Sequence, residues 1–281
     1  MRTLQTSKPR RELAEFVRIF VQREVRCDGA EFSEPNTASL EQVLAFDFQD
    51  QLILEYADGR NSLCPKVNAW GAFPYAGVGS RFHSHSVGFA IFLKPFASWQ
   101  LFRIPPGAIA GLVFDGGDLA GGTVHDLWEK MADHSAFSDR VRLAEDYLMP
   151  FALNALARTS IMKTVQYILH RGGAVRVEEL ANSSALGVRQ YERRFAEEMG
   201  LSPKLFTRTA RFQMALDAKR AAPNRSWLSI AHAFEYADQM HMIRDFRKLG
   251  GGSPTEILPQ RWDIQPWSLR STANVDADAE S

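Results

Sequence analysis

The sequence is poor in cysteine and has no long apolar run. Its 281 residues include only two cysteines, Cys27 and Cys64, which do not form a Cys-x-x-Cys pair. This pattern supports neither a disulfide framework nor a zinc knuckle and is typical of the reducing cytoplasm. The first 20 residues carry charges throughout, and no segment approaches the roughly 20 apolar residues of a membrane-spanning helix. We therefore expect a cytoplasmic protein.

The sequence also lacks the short motifs of common enzyme classes. It has no Gly-x-Ser-x-Gly elbow, no Walker phosphate loop and no dinucleotide-binding glycine fingerprint. We therefore expect no enzymatic activity, no catalytic residues and no cofactor.

Positive charge is concentrated in one part of the chain. Over the whole sequence Lys and Arg balance Asp and Glu, at 33 each. Residues 158–262, however, hold 17 Lys and Arg against 10 Asp and Glu, whereas residues 1–157 hold 15 against 19. Because a DNA-binding surface must neutralise phosphates, a basic module beside an acidic one favours a nucleic-acid-binding domain joined to a second domain.

Residues 1–157 have the pattern of a strand-rich domain. Apolar runs at 43–48 and 51–56 predict two strands, and 82–92 predicts another strand or pair of strands. After the break at Pro105-Pro106-Gly107, residues 123–133 and 138–156 have helical spacing. We predict an α+β N-terminal domain with helices at its C-terminal end.

From Ser160 onward the strand signals vanish. Helical spacing, glycine stops and Ser-Pro starts predict an all-α domain over residues 158–262. The predicted helices span 161–169, 177–184, 188–199, 203–221, 227–234, 239–249 and 254–258. Residues 263–281 are small and acidic and are predicted to form a disordered tail.

An internal repeat defines the helical region. Phe195 and Phe246 each begin the pattern Phe-x4-Gly-x-Ser-Pro, 51 residues apart, and Leu180-Ala181 matches Ile230-Ala231 upstream. Each repeat therefore has a short helix, a tight turn and a longer helix that ends at Gly. One face of each longer helix is apolar, so its other residues face outward. The outward residues are Arg189, Gln190, Glu192 and Arg193 in the first repeat, and Gln239, Met240, His241, Ile243 and Arg244 in the second. Arg and Gln on the free side of a locked helix favour insertion into a DNA major groove.

The segment 161–257 resembles the DNA-binding domain of the AraC/XylS family of transcription regulators. In that family two helix-turn-helix units are joined by a linker helix, which implies a sequence-specific, effector-responsive regulator whose DNA-binding residues are the nine named above. Residues 203–221 would be the linker, and its length of roughly 27 Å would let a fragment of about 158–262 read two major-groove faces as a monomer. The matching stretches are Val177-Glu-Glu-Leu-Ala181, Arg189-Gln-Tyr-Glu-Arg-Arg-Phe195, Gly200-Leu-Ser-Pro-Lys204, Arg211-Phe212-Gln213, Ile230-Ala231, Tyr236-Ala-Asp238-Gln239, His241, Ile243-Arg244-Asp245-Phe246 and Ser253-Pro254.

Three positions depart from the family pattern. Members usually place Gly at the turn of each unit, where this chain has Ala185 and Glu235. Gly187 stands where a Ser commonly caps the first recognition helix. A left-handed non-Gly residue costs on the order of 1 kcal/mol, so either the turns are built differently or they are strained.

Residues 1–157 resemble, less specifically, the sensor-type domain that precedes this module in a subset of the family. The stretches Tyr56-Ala-Asp-Gly59 and Gly88 to Pro95, with Phe102 and Pro105, carry the likeness. It implies effector binding or dimerisation. The expected partners are double-stranded DNA, with RNA polymerase, a small-molecule effector and a second copy of the chain as candidates. Eight aromatic residues suit either a ligand cavity or plain core: Trp70, Phe73, Tyr75, Phe82, Phe89, Phe92, Phe96 and Trp99.

Two alternatives stay open. His83-x-His85 on a predicted strand resembles the metal site of cupin barrels, which makes a cupin-like fold for this domain one candidate and a metal-dependent protein with a helical accessory domain the alternative function. No carboxylate follows within a few residues, so we predict no metal site. The other alternative is a helical protein-interaction module whose Arg-rich faces are merely solvated.

Overall fold

The computed structural model describes residues 2–26, 31–82 and 85–260. Cys27, His83 and the predicted acidic tail 263–281 lie outside the described residues. The described chain forms two compact units. The sheet unit comprises residues up to Asn36, Glu41–Ala72 and Gly77–Ala157, and the helical unit comprises Thr37–Leu40, Phe73–Ala76 and the chain from Arg158 onward.

Among its described residues, the sheet unit contains ten strands in two antiparallel sheets. The strands are β1 Arg2–Ser7, β2 Val17–Arg26, β3 Phe32–Pro35, β4 Gln42–Asp47, β5 Ile53–Tyr56, β6 Asn61–Leu63, β7 Val67–Trp70, β8 Val78–Phe82, β9 His85–Leu93 and β10 Val113–Asp115. The six-stranded sheet has the order β1-β2-β9-β4-β7-β10, and the four-stranded sheet has the order β3-β8-β5-β6.

The described part of the sheet unit also contains five helices and a short 3-10 turn at Arg11–Leu13. The helices are α1 Ala97–Phe102, α2 Pro106–Ile109, α3 Gly116–Ala120, α4 Thr123–Ala132 and α5 Phe137–Leu153. The strand-rich domain with helices at its C-terminal end is thus confirmed.

The main core of the sheet unit lies on the helix-facing side of the six-stranded sheet. Phe20, Phe46 and Phe89 are fully buried there on three neighbouring strands, together with Val124 of α4 and Leu148 of α5. Side chains alternate between the two faces along a strand. The residues next to these aromatics on each strand therefore point to the other face, toward the four-stranded sheet.

The helical unit contains seven helices among its described residues. They are α6 Ser160–His170, α7 Val177–Ser183, α8 Val188–Met199, α9 Pro203–Ala221, α10 Trp227–Ala233, α11 Gln239–Gly250 and α12 Pro254–Gln260. These bounds lie within two residues of the predicted ones, so the all-α prediction with a linker helix is confirmed. None of the helices in the described ranges is both long and apolar enough to cross a membrane.

The repeated Gly-x-Ser-Pro element ends one helix and starts the next. Gly200 and Gly251 cap α8 and α11 in the left-handed conformation, with φ of 73° and 81°. Ser202 caps α9, where its hydroxyl accepts a hydrogen bond from the Leu205 N–H. Proline at the first helical position has no N–H to leave unpaired, which explains the Ser-Pro start.

Candidate nucleic-acid interface

Both repeats fold as a helix, a tight turn and a second helix. In the first turn, the Ala185 N–H donates to the Asn182 carbonyl and the Leu186 N–H donates to the Ala181 carbonyl. This pair of bonds defines a Schellman motif, whose turning residue is left-handed. Ala185 accordingly has φ of 53°. The turn is therefore built in the way that normally employs Gly.

The second turn has the same geometry. The Glu235 N–H donates to the His232 carbonyl, the Tyr236 N–H donates to the Ala231 carbonyl, and Glu235 also has φ of 53°. Both turns thus keep the left-handed geometry that normally employs Gly, so they are not built differently from the family pattern. Ala185 and Glu235 instead adopt a strained conformation.

The buried face of α8 locks this helix to the rest of the first repeat. Tyr191, Phe195 and Met199 are buried, and the Phe195 ring contacts the Phe206 ring of α9 edge-on at 5.4 Å between centroids. The Tyr191 hydroxyl lies 2.7 Å from the Thr164 hydroxyl of α6. Burial raises the pKa of Tyr191 to about 12, so the phenol stays neutral and bonded. The inward face predicted from the sequence is confirmed.

The opposite face of α8 is open and basic. All four residues predicted to contact DNA there are exposed: Arg189, Gln190, Glu192 and Arg193. Arg193 lies 3.8 Å from Glu197, one turn further along the helix. This distance between two exposed side chains gives a weak ion pair, so the guanidinium is available for a stronger acceptor.

The buried face of α11 repeats the arrangement in the second repeat. Met242, Phe246 and Leu249 are buried, and the Phe246 ring contacts Phe212 of α9 at 4.9 Å and Trp227 of α10 at 5.5 Å between centroids. Asp238 caps the helix through a 2.6 Å bond from the His241 N–H. In the first repeat Gly187 holds the capping position and supplies no side-chain bond.

The outward face of α11 is less uniform than that of α8. Gln239, Met240 and Arg244 are exposed, with Met240 at 57%. His241 and Ile243 are half-buried, and the His241 ring lies edge-on against Tyr236 at 5.7 Å. The sequence prediction omitted three exposed cations on the two helices, Arg194, Arg247 and Lys248. The excess of Lys and Arg over residues 158–262 was the feature of the sequence that could have indicated them.

A buried ion pair ties α11 to the linker helix. Arg208 of α9 bonds Asp245 Oδ1 through Nε at 3.1 Å and through Nη2 at 2.5 Å, and Asp245 is 2% exposed. These hydrogen bonds raise the pKa of Arg208. A buried carboxylate that depends on one guanidinium fixes the rotation of α11 about its axis, because turning the helix would leave a charge unpaired.

Comparisons with known proteins agree with this geometry. A family described as a helix-turn-helix domain matches residues 180–260, which span α8 and both turns. The helical unit therefore contains a helix-turn-helix domain, the kind of domain that the resemblance to AraC/XylS regulators implies. No curated protein matches the sequence.

Two solved structures of ToxT from Vibrio cholerae are similar to this chain in fold. An apo form of a ToxT variant is 9% identical, with 86% of this chain and 97% of that chain covered and a TM-score of 0.51. A ToxT structure bound to (E)-4-(8-methylnaphthalen-1-yl)but-3-enoic acid is 8% identical, with 92% and 99% covered and a TM-score of 0.50. At these identities the likeness concerns the fold alone.

The family match supports a regulator and not the metal-dependent alternative. Within the described residues, no group of three or more His, Cys, Asp or Glu side chains is arranged to hold a metal ion. His85 Nε2 instead lies 3.1 Å from Glu24 Oε1 on the neighbouring strand.

The sheet unit holds a second candidate site, on the inter-sheet face of the six-stranded sheet. Register pairs Gly88 of β9 with Arg23 of β2 and with Asp47 of β4, so the three lie side by side. Arg23 reaches Glu34 of the opposite sheet at 3.2 Å. The neighbouring row holds Ala45 and Ala90, which are partly exposed. These small side chains at the middle of two central strands leave this part of the face partly accessible.

A buried carboxyl group, that of Asp47, lies on the same face, next to these small side chains. Asp47 accepts a 3.0 Å bond from the Asn68 amide, which in turn accepts a 2.6 Å bond from the Trp70 indole N–H. Burial raises the pKa of Asp47 to about 7, although Arg23 and Asn68 oppose the rise. The predicted aromatic group is split here: Trp70 and Phe92 lie on the inter-sheet face, Phe89 belongs to the helix-facing core, and Tyr75 belongs to the helical unit.

Proposed function

We propose that this regulator reads its DNA site with α8 and α11, each inserted into a major groove. The observation that supports this most is the pairing of a fully buried aromatic face with an open face carrying Arg and Gln on both helices. Arg pairs with guanine and Gln with adenine through two hydrogen bonds each, which is how base edges are distinguished. The proposed readers are Arg189, Gln190, Glu192 and Arg193 on α8 and Gln239, Met240, His241, Ile243 and Arg244 on α11.

The linker helix gives a spacing that suits one duplex. Its 19 residues, Pro203–Ala221, extend about 28 Å at 1.5 Å per residue. Successive major-groove faces on one side of B-DNA are about 34 Å apart. One chain would therefore cover two half-sites about one helical turn apart, and dimerisation through a second copy would add avidity rather than create the site.

Arg193→Ala and Arg244→Ala test the assignment of readers. Each is expected to weaken binding to a DNA site selected from random duplexes by about 1–3 kcal/mol and to relax preference at one base position. Arg142→Ala is the matched control, because Arg142 is an exposed cation of the sheet unit. If base preference stays intact in both reader variants, α8 and α11 do not read bases.

We also propose that the sheet unit binds a small-molecule effector in the space beside Arg23 and Asp47. ToxT, which shares the fold, has been solved with a bound carboxylic acid. Titration of the full chain with small organic acids while tryptophan fluorescence is monitored tests this proposal, because Trp70 lies at the site. An Ala45→Trp variant, which fills the space, is expected to abolish any saturable response.

The remaining roles follow from DNA binding. We propose that the regulator works in the cytoplasm, has no enzymatic activity and affects transcription through RNA polymerase. A transcription assay with the selected DNA site upstream of a promoter would separate this role from that of a helical interaction module, which would bind no DNA.

A further inference from the structure

Two short segments far upstream in the sequence belong to the helical unit. Thr37–Leu40 and Phe73–Ala76 are separated from the first helix of that unit by more than 80 residues, yet their contacts place them there. The segments pair with each other. The Ser39 N–H donates to the Phe73 carbonyl at 2.8 Å, and the Phe73 N–H donates to the Ser39 carbonyl at 2.9 Å. They therefore form one paired element.

The first segment caps the C-terminal end of α11. The Ala38 N–H donates to the Leu249 carbonyl at 2.7 Å. The last four carbonyls of a helix have no partner within the helix, so this bond satisfies a group that α11 cannot satisfy itself. Ala38 is also fully buried in the core cluster that contains Phe212, Phe246 and Leu249. Removing the segment would expose that core and leave the Leu249 carbonyl without this partner.

The same segment satisfies a buried side chain of the linker helix. The Leu40 N–H donates to Gln213 Oε1 at 3.3 Å, and Gln213 is fully buried. Within the described residues, Gln213 Nε2 has no hydrogen-bond partner. Without Leu40, neither end of this buried amide would be bonded, which is costly in a low-dielectric interior.

The second segment lies beside the last turn of α11. Lys248 Nζ is 5.2 Å from the centre of the Tyr75 ring, and a Cβ added at Gly251, the left-handed cap, would lie 3.5 Å from the Ala76 Cβ. The paired element thus lies against the C-terminal end of α11, at Lys248 and Leu249 and beside the cap residue Gly251.

The first repeat is completed by different means. Glu198 takes the place of Leu249 in the repeat, and its carboxylate accepts a 2.5 Å bond from the Thr159 hydroxyl, just before α6. The Gly200 N–H closes α8 on its own Ala196 carbonyl. These contacts of α8 come from the chain after Arg158. The two repeats therefore differ in what their recognition helices depend on.

We propose that Thr37–Leu40 and Phe73–Ala76 are positioning elements for DNA reading by α11. The second half-site is then read only when these two segments, which come from the strand-rich part of the sequence, are packed against α11. The proposal rests on the proposed function of α8 and α11. It changes the expectation for a fragment of residues 158–262. Such a fragment lacks both segments, and we expect it to protect the half-site of α8 alone.

The full chain with Ala38→Leu is the direct test. Three extra carbon atoms at a fully buried position are expected to displace the segment from the core. Footprinting on the selected DNA should then show protection of one half-site instead of two. Affinity should fall by about 100-fold, the lower end of the gain that linking two readers supplies. Arg193→Ala and Arg244→Ala identify which half-site belongs to which helix.

Matched variants separate positioning from general stability. Ala38→Gly keeps the N–H donor and is expected to protect both half-sites. In Ala38→Leu, amide hydrogen exchange should accelerate in α11 and stay unchanged in α8. If Ala38→Leu does not fold, Tyr75→Ala decides, because Tyr75 is 42% exposed and its loss spares the core. It should weaken protection of the α11 half-site only, whereas Tyr75→Phe should not.

Two outcomes would overturn the proposal. One is equal protection of both half-sites by folded Ala38→Leu or by Tyr75→Ala, and the other is equal loss at both. A different result, in which the unaltered full chain selects no DNA at all, would contradict the proposed function instead.

Discussion

The two turns that lack glycine give a sharp stability prediction. Ala185 and Glu235 are exposed, and each has φ of 53°. Each occupies the position of a Schellman motif where the chain reverses, and two hydrogen bonds around each residue prevent relaxation to another conformation. Replacement by Gly should therefore relieve strain without altering any contact of the core.

The expected size of the effect follows from two opposing contributions. The left-handed conformation costs a residue with a Cβ roughly 1–2 kcal/mol. Glycine has more freedom in the unfolded chain, which takes back about 0.4–1 kcal/mol. Glu235→Gly and Ala185→Gly should each raise the free energy of unfolding of the helical unit by about 0.5–1 kcal/mol. The two sites lie in different repeats and share no partner, so the double variant should gain the sum.

Urea unfolding of the full chain, with hydrogen exchange to assign the transition to the helical unit, measures the effect. Glu235→Ala is the decisive control, because it removes the charge and most of the side chain yet keeps a Cβ at positive φ. It should show no gain from relief of backbone strain. Equal stability of Glu235→Gly and Glu235→Ala would refute the reasoning, since the benefit would then come from the lost carboxylate.

Three further predictions concern the cores and caps. Phe195→Ala and Phe246→Ala remove fully buried rings and should each cost about 3–5 kcal/mol in urea unfolding; a cost below 1 kcal/mol would contradict the packing seen around them. Asp47→Asn tests the buried carboxyl group. Because the pKa of Asp47 in the fold is about 7 and its ordinary value is 3.8, the stability that its proton contributes is complete below about pH 4 and is lost as the pH rises to about 7. The free energy of unfolding of the variant should therefore rise relative to that of the wild type between pH 4 and pH 8, by at most about 4 kcal/mol. A difference in stability that does not change with pH would exclude the raised pKa. Gly187→Ser adds the missing cap of α8 in open space and should stabilise it by a few tenths of a kcal/mol, which thermal unfolding alongside Gly187→Ala would detect.

The helical unit was predictable because its signals are local. Apolar spacing, Ser-Pro starts and glycine stops lie within a few residues of one another, and α8 and α9 have the predicted bounds, 188–199 and 203–221. In contrast, β1 and β2 were not predicted. Their sequences, RTLQTS and VRIFVQREVR, mix charged and apolar residues, and pairing with a partner strand decides their structure.

The outward faces were predictable for a similar reason, whereas the contacts of α11 were not. Periodicity separates Phe246 from Arg244, but it does not reveal that His241 packs on Tyr236 and is half-buried. Nor does any local signal connect Ala38 with Leu249, more than 200 residues away. Such contacts depend on tertiary structure, and in this chain they are the ones that distinguish the second repeat from the first.

This difference between the repeats bears on how an effector would control the regulator. A ligand shifts an equilibrium only by its difference in affinity for the two states. If α8 holds DNA by itself and α11 requires Thr37–Leu40 and Phe73–Ala76, control reduces to whether the second half-site is engaged. Linking two readers is worth about 10²–10⁴ in affinity, so an effector need supply only a few kcal/mol of differential binding to govern it. Reciprocity then demands that DNA carrying both half-sites change the affinity for the effector by the same factor, and that DNA carrying only the α8 half-site leave it unchanged.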